Sequence, residues 1–455
     1  MDEALTHELP DIDLLEGMVR GAVIRPGSDV YEQRRRTFNA MIERYPAVIV
    51  RPLDTLDVAA AVRWAGRANL PISVRGGGHS VAGHSVGEGS LMIDLEALRS
   101  VTVDAAARTA DVGGGPLLED LDRATTAHGL VAPSGTFYDT GVGGLTLTGG
   151  LSFLIGKAGF ACDALIGAEL VAADGVIHAV DAASDPELLW ALRGGGGNFG
   201  VVTRLRFALV PLEGVYGGEI EYPGAEAPRA LHAIFAIRER LPDELSLQAV
   251  IATRSGEMGF TLLAAWTGRT EDGVAALRPF RDGFDILRDD VVERSYVELQ
   301  AMNGRMGPTY RHYWKGQFLG EISPAVERAI LDSAAADTSS GGILIEMIHG
   351  MAHRFPESHA AFGARAALAN VSALAIWEDS ARDAEHIAWA RATTDALAPF
   401  ALRGGAGYLN YAPPDESAGR IQLAFGTERF TRLQAVKRRC DPHNRFRFNA
   451  NIPPG

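Results

Sequence analysis

The first half of the chain alternates between short apolar runs and amphipathic segments, a pattern typical of strands and helices in succession. Asp54 can cap a helix in which Val58, Ala61, Val62 and Ala65 recur at helical spacing. Further strands are predicted at 71–74, 109–112, 164–172 and 201–209, and further helices at 117–128 and 186–192. Residues 45–213 are therefore predicted to be an α+β mixture.

From residue 214 to 405 longer strand-like runs alternate with helical patterns. Strands are predicted at 246–251, 260–266, 342–350 and 371–377, and helices at 224–240, 323–336 and 380–398. This order favours an antiparallel sheet with helices on one face. Beyond residue 425 a helix is predicted to end at Asp441-Pro442, and an extended tail follows.

Composition narrows the class of protein. The 455 residues carry 43 Lys and Arg against 57 Asp and Glu, a net charge of −14, so a nucleic-acid partner is not expected. The acidic N-terminus lacks the features of a secretory signal, and no apolar run is long enough to predict a membrane span. The two cysteines, Cys162 and Cys440, are far apart in sequence, which predicts free thiols, a cytoplasmic location and no metal site.

Glycine is enriched, with 52 residues gathered largely in short clusters. The segment Arg75–Ser80 follows a predicted buried strand, and its three glycines allow backbone N–H groups to approach an anionic ligand. The segment Gly195–Gly200 matches G-x-G-x-x-G, but a helix precedes it and a strand follows. A dinucleotide fingerprint needs the reverse order, so a Rossmann site is rejected there.

The glycine loops and the tail together match one family. The motifs are Arg75-Gly76-Gly77-Gly78-His79, Gly141-Val142-Gly143-Gly144, Thr148-Gly149-Gly150, Gly159–Asp163, Arg193–Val202, Tyr408-Leu409-Asn410-Tyr411, and the tail from Asp441-Pro442-His443-Asn444 to Pro454. In this order they resemble the berberine-bridge-enzyme-like flavoproteins of the vanillyl-alcohol-oxidase/PCMH group. The resemblance covers the chain from about residue 43 onward.

The resemblance implies an α+β fold with a PCMH-type FAD-binding domain of two α/β subdomains and an inserted antiparallel-sheet substrate domain. The expected bounds are 1–213 for the FAD domain, 214–405 for the substrate domain, and 406–455 for a segment that returns to the FAD domain. It also implies that FAD is bound through a single covalent link from His79 to the flavin 8α-carbon, which would favour hydride uptake.

The matching motifs carry over a set of cofactor-binding residues. They are Arg75, Gly76, Gly77, Gly78, His79, Ser80, Gly83, Thr140, Gly141, Gly143, Gly144, Gly149, Gly150, Gly200, Val202, Asn449 and Asn451.

Several positions depart from the family pattern. Phe137 stands where many relatives have a second, cysteinyl flavin link, so one link is expected. Leu145 replaces a histidine, which leaves backbone N–H groups near Gly143 and Gly144 to stabilise charge on the reduced flavin. Ala158 replaces a tyrosine, and Thr140 stands where relatives often have a small apolar gatekeeper for oxygen.

Oxidation of an alcohol or amine also needs a base for the heteroatom proton. On the predicted strand 342–350, alternation puts Ile345, Met347 and His349 on one face, and His349 is the candidate base, with Glu346 pointing away; a structural histidine is the equal alternative. The resemblance adds Tyr408 and Tyr411, and Tyr408 is favoured of the two. The cluster Tyr310–Lys315 is interpreted as sheet packing or, alternatively, as a pocket wall.

The expected function is an FAD-linked oxidase that oxidises a C–OH or C–N bond of a small organic molecule by hydride transfer to flavin N5, with O2 as acceptor. One alternative is a flavin dehydrogenase that uses another acceptor, as the position of Thr140 suggests. The other is a flavin-binding protein without turnover.

Overall fold

The computed structural model describes residues 11–212, 214–254, 256–304, 307–405 and 407–455. The acidic residues 1–10 and the two residues at the predicted domain boundaries, 213 and 406, lie outside this range. The domain bounds themselves stay predictions.

A small sheet opens the fold. Three of its four strands are parallel, and a short antiparallel strand forms one edge, in the order β1-β2-β4-β3. The strands are β1 (Ala22–Ile24), β2 (Val48–Arg51), β3 (Ile72–Arg75) and β4 (Leu91–Asp94), and the helices are α1 (Ile12–Met18), α2 (Asp29–Arg35) and α3 (Thr55–Arg67). The side chain of Asp54 caps α3, and the predicted apolar stripe of α3 is buried, so this sequence interpretation is confirmed.

A second, antiparallel sheet follows in the order β5-β6-β10-β8-β9, and β7 and β11 form a separate pair. The strands are β5 (Val101–Asp104), β6 (Thr109–Gly113), β7 (Leu130–Val131), β8 (Leu165–Val171), β9 (Ile177–Asp181), β10 (Val201–Ala208) and β11 (Val210–Pro211). The helices are α4 (Leu118–Thr126), α5 (Val142–Leu147), α6 (Ile155–Ala158) and α7 (Pro186–Leu192). The glycine-rich segment 141–150, interpreted as a loop from sequence, therefore contains the short helix α5.

The insert is built on one large antiparallel sheet in the order β15-β12-β14-β13-β18-β19-β17, with β16 also paired to β12. The strands are β12 (Val215–Pro223), β13 (Leu245–Arg254), β14 (Glu257–Trp266), β15 (Arg288–Asp289), β16 (Val292–Arg294), β17 (Arg311–Leu319), β18 (Gly342–Met347) and β19 (Ala369–Trp377). The helices are α8 (Ala227–Ala236), α9 (Thr270–Ala276), α10 (Tyr296–Ala301), α11 (Pro324–Ala335), α12 (Met351–Arg354) and α13 (Asp383–Leu397).

The two faces of the insert sheet have different partners. Ile343, Ile345 and Met347 of β18 belong to the core that β18 shares with α8, α11 and α13. The alternate residue Leu344 belongs to a small cluster with Phe38 and Trp314. One face of the sheet is thus covered by helices, and the other faces the first half of the chain.

The last segment returns to the second sheet through α14 (Ala418–Phe425) and α15 (Thr427–Cys440). Leu433 and Val436 of α15 pack into the core of that sheet. The fully buried Lys437 donates hydrogen bonds to the carbonyl oxygens of Asn198 and Phe446 and to the carboxylate of Asp441. This buried cation therefore fastens the tail to the loop before β10.

Within the described part of the chain, none of the helices has the length and apolar character that crossing a membrane requires.

Candidate active site

An elongated cavity lies where the first half of the chain, the insert sheet and the tail meet. Its lining comes from the loop after β3, from residues 136–148, from the glycine run before β10, from Trp314 of β17, from residues 408–411 and from residues 446–450. These segments are far apart in sequence, so the cavity exists only in the complete fold.

Two of the glycine loops touch each other backbone to backbone. A Cβ atom on Gly77 would lie 2.3 Å from the amide nitrogen of Gly141, and a Cβ on Gly141 would lie 2.3 Å from the nitrogen of Gly77. Gly78 adopts a φ of +71°, which side-chain-bearing residues rarely take. The sequence must supply glycine here because any side chain would push the two loops apart.

The helix α5 begins at the cavity, with Gly141 as its N-cap. Gly143 and Gly144 line the cavity, and neither presents a side chain to it. Backbone groups therefore form much of this wall, as the loss of a histidine at Leu145 led us to expect.

His79 lies in the cavity wall, with its ring stacked on Phe38 at a centroid distance of 4.5 Å and an interplanar angle of 17°. The Nε2 atom of His79 lies 3.5 Å from Oδ1 of Asp139. Phe137, at the position where relatives have a second flavin link, lies 6.0 Å from the His79 ring and cannot form such a link. The local geometry gives His79 a fixed ring plane and one acidic neighbour.

Tyr408 is buried, and its hydroxyl oxygen accepts hydrogen bonds from three groups. The donors are the backbone nitrogens of Gly150 and Leu151, at 3.1 and 3.0 Å, and Nδ2 of Asn410, at 2.8 Å. Burial raises the pKa of Tyr408 above its usual value. The hydroxyl group of Tyr408 therefore holds the loop after α5 in place.

Tyr411 has a different partner. Its hydroxyl donates to Oε1 of Glu346 at 3.4 Å, and Oε2 of Glu346 accepts a hydrogen bond from Nδ2 of Asn370 at 2.8 Å. Glu346 is 2 % exposed, and burial raises the pKa of its carboxyl group to about 7. A carboxyl group with that pKa changes protonation near neutral pH and can accept a proton.

Leu409–Tyr411 form a 3-10 turn, and Tyr408 directly precedes it. Both tyrosines line the cavity, although the sequence favoured Tyr408 of the two.

Aromatic rings cover the side of the cavity next to Tyr411. Trp314 packs edge-on against Tyr411 at 5.3 Å, and Phe38 lies between His79 and His312. Both ring nitrogens of His312 are buried, and they have no hydrogen-bond partner among the described residues. Burial together with the charge of His79 lowers the pKa of His312 to about 3. The cluster 310–315 therefore includes a pocket wall, the alternative interpretation from sequence.

Most predicted site residues meet at this cavity. Those that line it are Gly76, Gly77, Gly78, His79, Ser80, Thr140, Gly141, Gly143, Gly144, Gly200, Val202, Tyr408, Tyr411 and Asn449.

Five predicted cofactor contacts do not line the cavity. Arg75 donates to the carbonyl oxygens of Arg34 and Arg36, which ties the loop after β3 to α2. Gly83 packs against Ile42, Gly149 faces Phe362, and Gly150 faces Ala161. Asn451 lies in the tail, where its Oδ1 is buried and has no hydrogen-bond partner in the described part of the chain.

His349, the candidate base from the insert, also lies outside the cavity lining. The strand β18 ends at Met347, and Nε2 of His349 lies 3.1 Å from the carbonyl oxygen of Pro242, beside Gly156. Burial lowers the pKa of its imidazole. The structure therefore places His349 in the structural role that was the alternative interpretation.

The face of β18 that reaches the site is the opposite of the one expected. Ile343, Ile345 and Met347 are all apolar and pack against helices, so the face with Glu346 turns toward the cavity. The uniformly apolar character of the first face is a sequence signal that could have identified this arrangement.

Sequence reasoning also missed Phe38, Asp139 and His84. Phe38 and Asp139 surround His79 through tertiary contacts that no local motif reveals. His84 is a cavity residue whose pKa burial lowers to about 4, so it is neutral at physiological pH.

The lining fits a large planar group that carries phosphates. Closely approaching glycine backbones offer N–H groups without side chains, and aromatic rings with a titratable carboxyl group lie at the insert side. Oδ1 of Asn449, a cavity residue of the tail, is buried and accepts no hydrogen bond from the residues that the structure describes. These features agree with bound FAD. No group of three or more potential metal ligands occurs among the described residues.

Comparison with known proteins gives an independent result. Residues 46–199 match the family model of an FAD-binding domain, and residues 407–453 match the model of the berberine and berberine-like family. The two matches contain the glycine loops and the tail that line the cavity.

Whole-chain relatives agree. The chain is 30% identical over 452 residues to (R)-6-hydroxynicotine oxidase of Paenarthrobacter nicotinovorans, which covers 96% of this chain and 97% of the relative. It superposes on the crystal structure of 6-hydroxy-D-nicotine oxidase from Arthrobacter nicotinovorans with a TM-score of 0.87 at 29% identity, over 96% and 98% of the two chains. The berberine-bridge-enzyme-like protein 1 of Physcomitrella patens shares the fold, with a TM-score of 0.89 at 22% identity over 98% and 99%.

These matches confirm the resemblance, the α+β fold and the FAD-dependent activity expected from the motifs. The chain belongs to the berberine-bridge-enzyme-like family of FAD-linked oxidoreductases, enzymes that oxidise small organic molecules.

Proposed function

We propose that the protein removes a hydride from a carbon that bears a hydroxyl or amino group, that His79 carries the FAD covalently, and that dioxygen is the electron acceptor. Bound FAD supplies the hydride acceptor, its N5 atom. The observation that carries the proposal is the Tyr411–Glu346 pair, since it supplies a proton acceptor beside a cavity otherwise rich in backbone and aromatic surface.

The pair is suited to take the heteroatom proton. As hydride leaves the carbon, the attached oxygen or nitrogen must lose its proton, and a base with a pKa near the working pH does this best. Glu346 has a pKa of about 7, whereas burial raises the pKa of Tyr411 well above its usual range. Tyr411 therefore passes the proton on to Oε1 of Glu346, and Asn370 keeps that carboxylate in place.

Tyr408 holds the neighbouring backbone in position and takes no part in the proton transfer. Its oxygen already accepts three hydrogen bonds, and the raised pKa disfavours a phenolate. It fixes the backbone of Gly150 and Leu151 after α5, which in turn holds Gly143 and Gly144 at the cavity.

The test is an anaerobic screen of secondary alcohols and cyclic amines against the purified flavoprotein. Bleaching of the visible flavin band by a substrate, in the wild type and far more slowly in Glu346→Gln, is the expected result. If a substrate bleaches both proteins at the same rate, Glu346 is not the proton acceptor.

The covalent link is supported by the position of His79 in the cavity wall. Acid denaturation should leave the yellow colour in the protein pellet, and His79→Ala should release it to the supernatant. A wild-type pellet without flavin would remove the covalent link and leave the family assignment intact.

Whether dioxygen or another molecule is the electron acceptor depends on Thr140, which lines the cavity at the position of the oxygen gatekeeper in relatives. Reduced protein mixed with air-saturated buffer should return to the oxidised spectrum within seconds. Slow return, with rapid return on adding a quinone, would establish a dehydrogenase instead.

A cytoplasmic location is proposed from the two cysteines, Cys162 and Cys440, which are both buried and unpaired. Cell fractionation with an antibody to the protein tests it, and recovery in an exported fraction would overturn it.

A further inference from the structure

The surroundings of His79 contain a carboxylate, Asp139, that takes no part in the proton transfer proposed above. Asp139 places Oδ1 3.5 Å from Nε2 of His79, and the side chains are 8% and 10% exposed. Phe38 covers one face of the imidazole and fixes its plane. The two atoms lie at ion-pair distance and not in a hydrogen bond, so the carboxylate acts on the ring through its charge. A negative charge this close to one ring nitrogen favours the tautomer with the proton on that nitrogen, and it favours a positively charged ring.

We propose that Asp139 is a positioning residue for the attachment of FAD to His79. The inference rests on the proposed covalent link. Asp139 holds the proton on Nε2, which leaves the lone pair of Nδ1 as the nucleophile, and it stabilises the positive charge that the ring acquires as Nδ1 forms its bond.

The reaction balances with dioxygen as the oxidant. One bond forms, between Nδ1 of His79 and the 8α methyl carbon of FAD, and one C–H bond of that methyl group breaks. The methyl group and Nε2 each lose one hydrogen. Dioxygen takes both hydrogens as two protons and two electrons and becomes hydrogen peroxide.

The proton from Nε2 has a route to solvent through a second feature. An open groove lies on the other side of the loop after β3, and Phe38, Leu117 and Asp139 line it. The groove and the main cavity share Gly77 and Gly78 in their linings, so the two border on the same glycine loop. Asp139 thus lies between the buried histidine and water.

A purely structural Asp139 would support the segment 136–141 without affecting the chemistry of His79. Chemical rescue separates the two roles, because a small carboxylate that enters through the open groove can replace the charge of Asp139 but cannot repair a misfolded segment.

The experiment compares Asp139→Ala, Asp139→Asn and the wild type, with Phe38→Leu as a control that loosens ring stacking and keeps the carboxylate. Intact-mass measurement after acid denaturation gives the fraction of chains that carry FAD covalently. Absorbance before denaturation gives total FAD. We expect both Asp139 variants to bind FAD largely without a covalent bond, and to couple about 100-fold more slowly than the wild type.

Sodium formate, matched against sodium chloride, is then added to Asp139→Ala that holds FAD noncovalently. We expect formate to accelerate covalent coupling by about tenfold. It should leave Asp139→Asn unchanged, because the amide occupies the space that formate needs. Equal rates in formate and chloride for the alanine variant would overturn the proposal.

The wild type provides a measurement that does not depend on any variant. A flavin-bearing peptide from a protease digest, analysed by NMR, shows which ring nitrogen carries the flavin. A bond at Nδ1 supports the proposal, and a bond at Nε2 overturns it. If the wild-type protein carries no covalent flavin at all, the proposed link itself fails, which is a separate and recognisable outcome.

Discussion

The two sides of the cavity are built from different material. On the side of the first two sheets, the chain presents mainly backbone, and Gly77 and Gly141 approach so closely that a Cβ on either would lie 2.3 Å from the other's nitrogen. On the side of the insert the chain presents side chains, chiefly Trp314 and Tyr411, and Glu346 lies behind them as the hydrogen-bond acceptor of Tyr411.

The two kinds of wall suit different ligands. A backbone wall offers the same N–H groups whatever the neighbouring side chains are, so it suits a ligand that never changes, the cofactor. A side-chain wall changes its shape and charge with every substitution, so it suits the part of the reaction that differs among relatives, the substrate. Substitutions on the backbone side should therefore weaken cofactor binding, whereas substitutions on the side-chain side should impair the reaction with the substrate.

The largest effect is expected from Glu346→Gln on the side-chain wall. Loss of the proton acceptor should lower kcat/KM by about 100-fold or more and remove the rise in activity as pH passes through about 7. FAD content should stay at the wild-type level. Steady-state kinetics between pH 5 and 9 checks this, with His349→Gln as the control, since His349 lies outside the cavity and should behave as wild type.

The same variant should be more stable than the wild type at alkaline pH. The pKa of Glu346 is raised from 4.5 to about 7 in the folded chain, so the unfolded chain ionises first. The free energy of unfolding of the wild type therefore falls as pH rises from 4.5 to 7, and Glu346→Gln avoids this loss. Equal stability of the two proteins at pH 8 would show that the carboxyl group of Glu346 is not buried with a pKa near 7.

Gly77→Ala on the backbone wall should act on the cofactor. The added methyl group must displace the loop at Gly141, and overpacking of about 1–3 kcal/mol corresponds to a roughly tenfold to 100-fold weaker retention of FAD. Gly76→Ala is the matched control, because its Cβ would meet only the carbonyl oxygen of Gly114, at 3.5 Å. The ratio of flavin to protein absorbance, with circular dichroism to verify folding, measures the difference. Equal flavin content in both variants would contradict a backbone-built wall.

Substituting the two tyrosines should distinguish a role in proton transfer from a role in holding the backbone in place. Tyr411→Phe removes the hydrogen bond that lowers the pKa of Glu346, so the alkaline rise in activity should shift to higher pH, with a loss of about tenfold at pH 7. Tyr408→Phe leaves three N–H groups without their acceptor. It should destabilise the protein by about 1–3 kcal/mol without moving the pH profile. A shift in the pH profile of Tyr408→Phe would reverse the roles assigned to them.

The last prediction concerns His312, which lies behind the side-chain wall and affects stability at acidic pH but not activity. Its pKa is about 3 in the folded chain, whereas an unfolded histidine titrates near pH 6.5. The unfolded chain therefore takes up a proton first on acidification, and stability is lost as pH falls from about 6.5 toward 3 at up to about 1.4 kcal/mol per pH unit. His312→Phe should weaken this dependence in urea titrations at pH 4 to 6. An unchanged slope would show that His312 is not buried as a neutral ring.

The sequence predicted the backbone wall better than the side-chain wall for a physical reason. Glycines at close approaches are required locally, so Gly77 and Gly141 stand out in the sequence, and the family motif places His79 among them. The alternation on β18 is as predicted, but the face that packs against the helices is the uniformly apolar one and not the face expected. Glu346 was consequently assigned to the wrong side.

Two other features depended on contacts that no local pattern encodes. The turn at Tyr408–Tyr411 forms because Tyr408 bonds to the loop after α5, more than 250 residues away in sequence. Asp139 and Phe38 gain their significance only beside His79, and neither belongs to a motif with it.

The buried anchor of the tail has a consequence for how the enzyme is made. Lys437 and Asp441 hold the backbone of Phe446, and residues 446–450 complete the lining of a cavity that Gly77, several hundred residues earlier in the chain, also lines. During synthesis Gly77 leaves the ribosome first, so the lining is incomplete until the segment with Lys437 and Phe446 has emerged and docked. We therefore expect FAD to be enclosed only after this segment has folded.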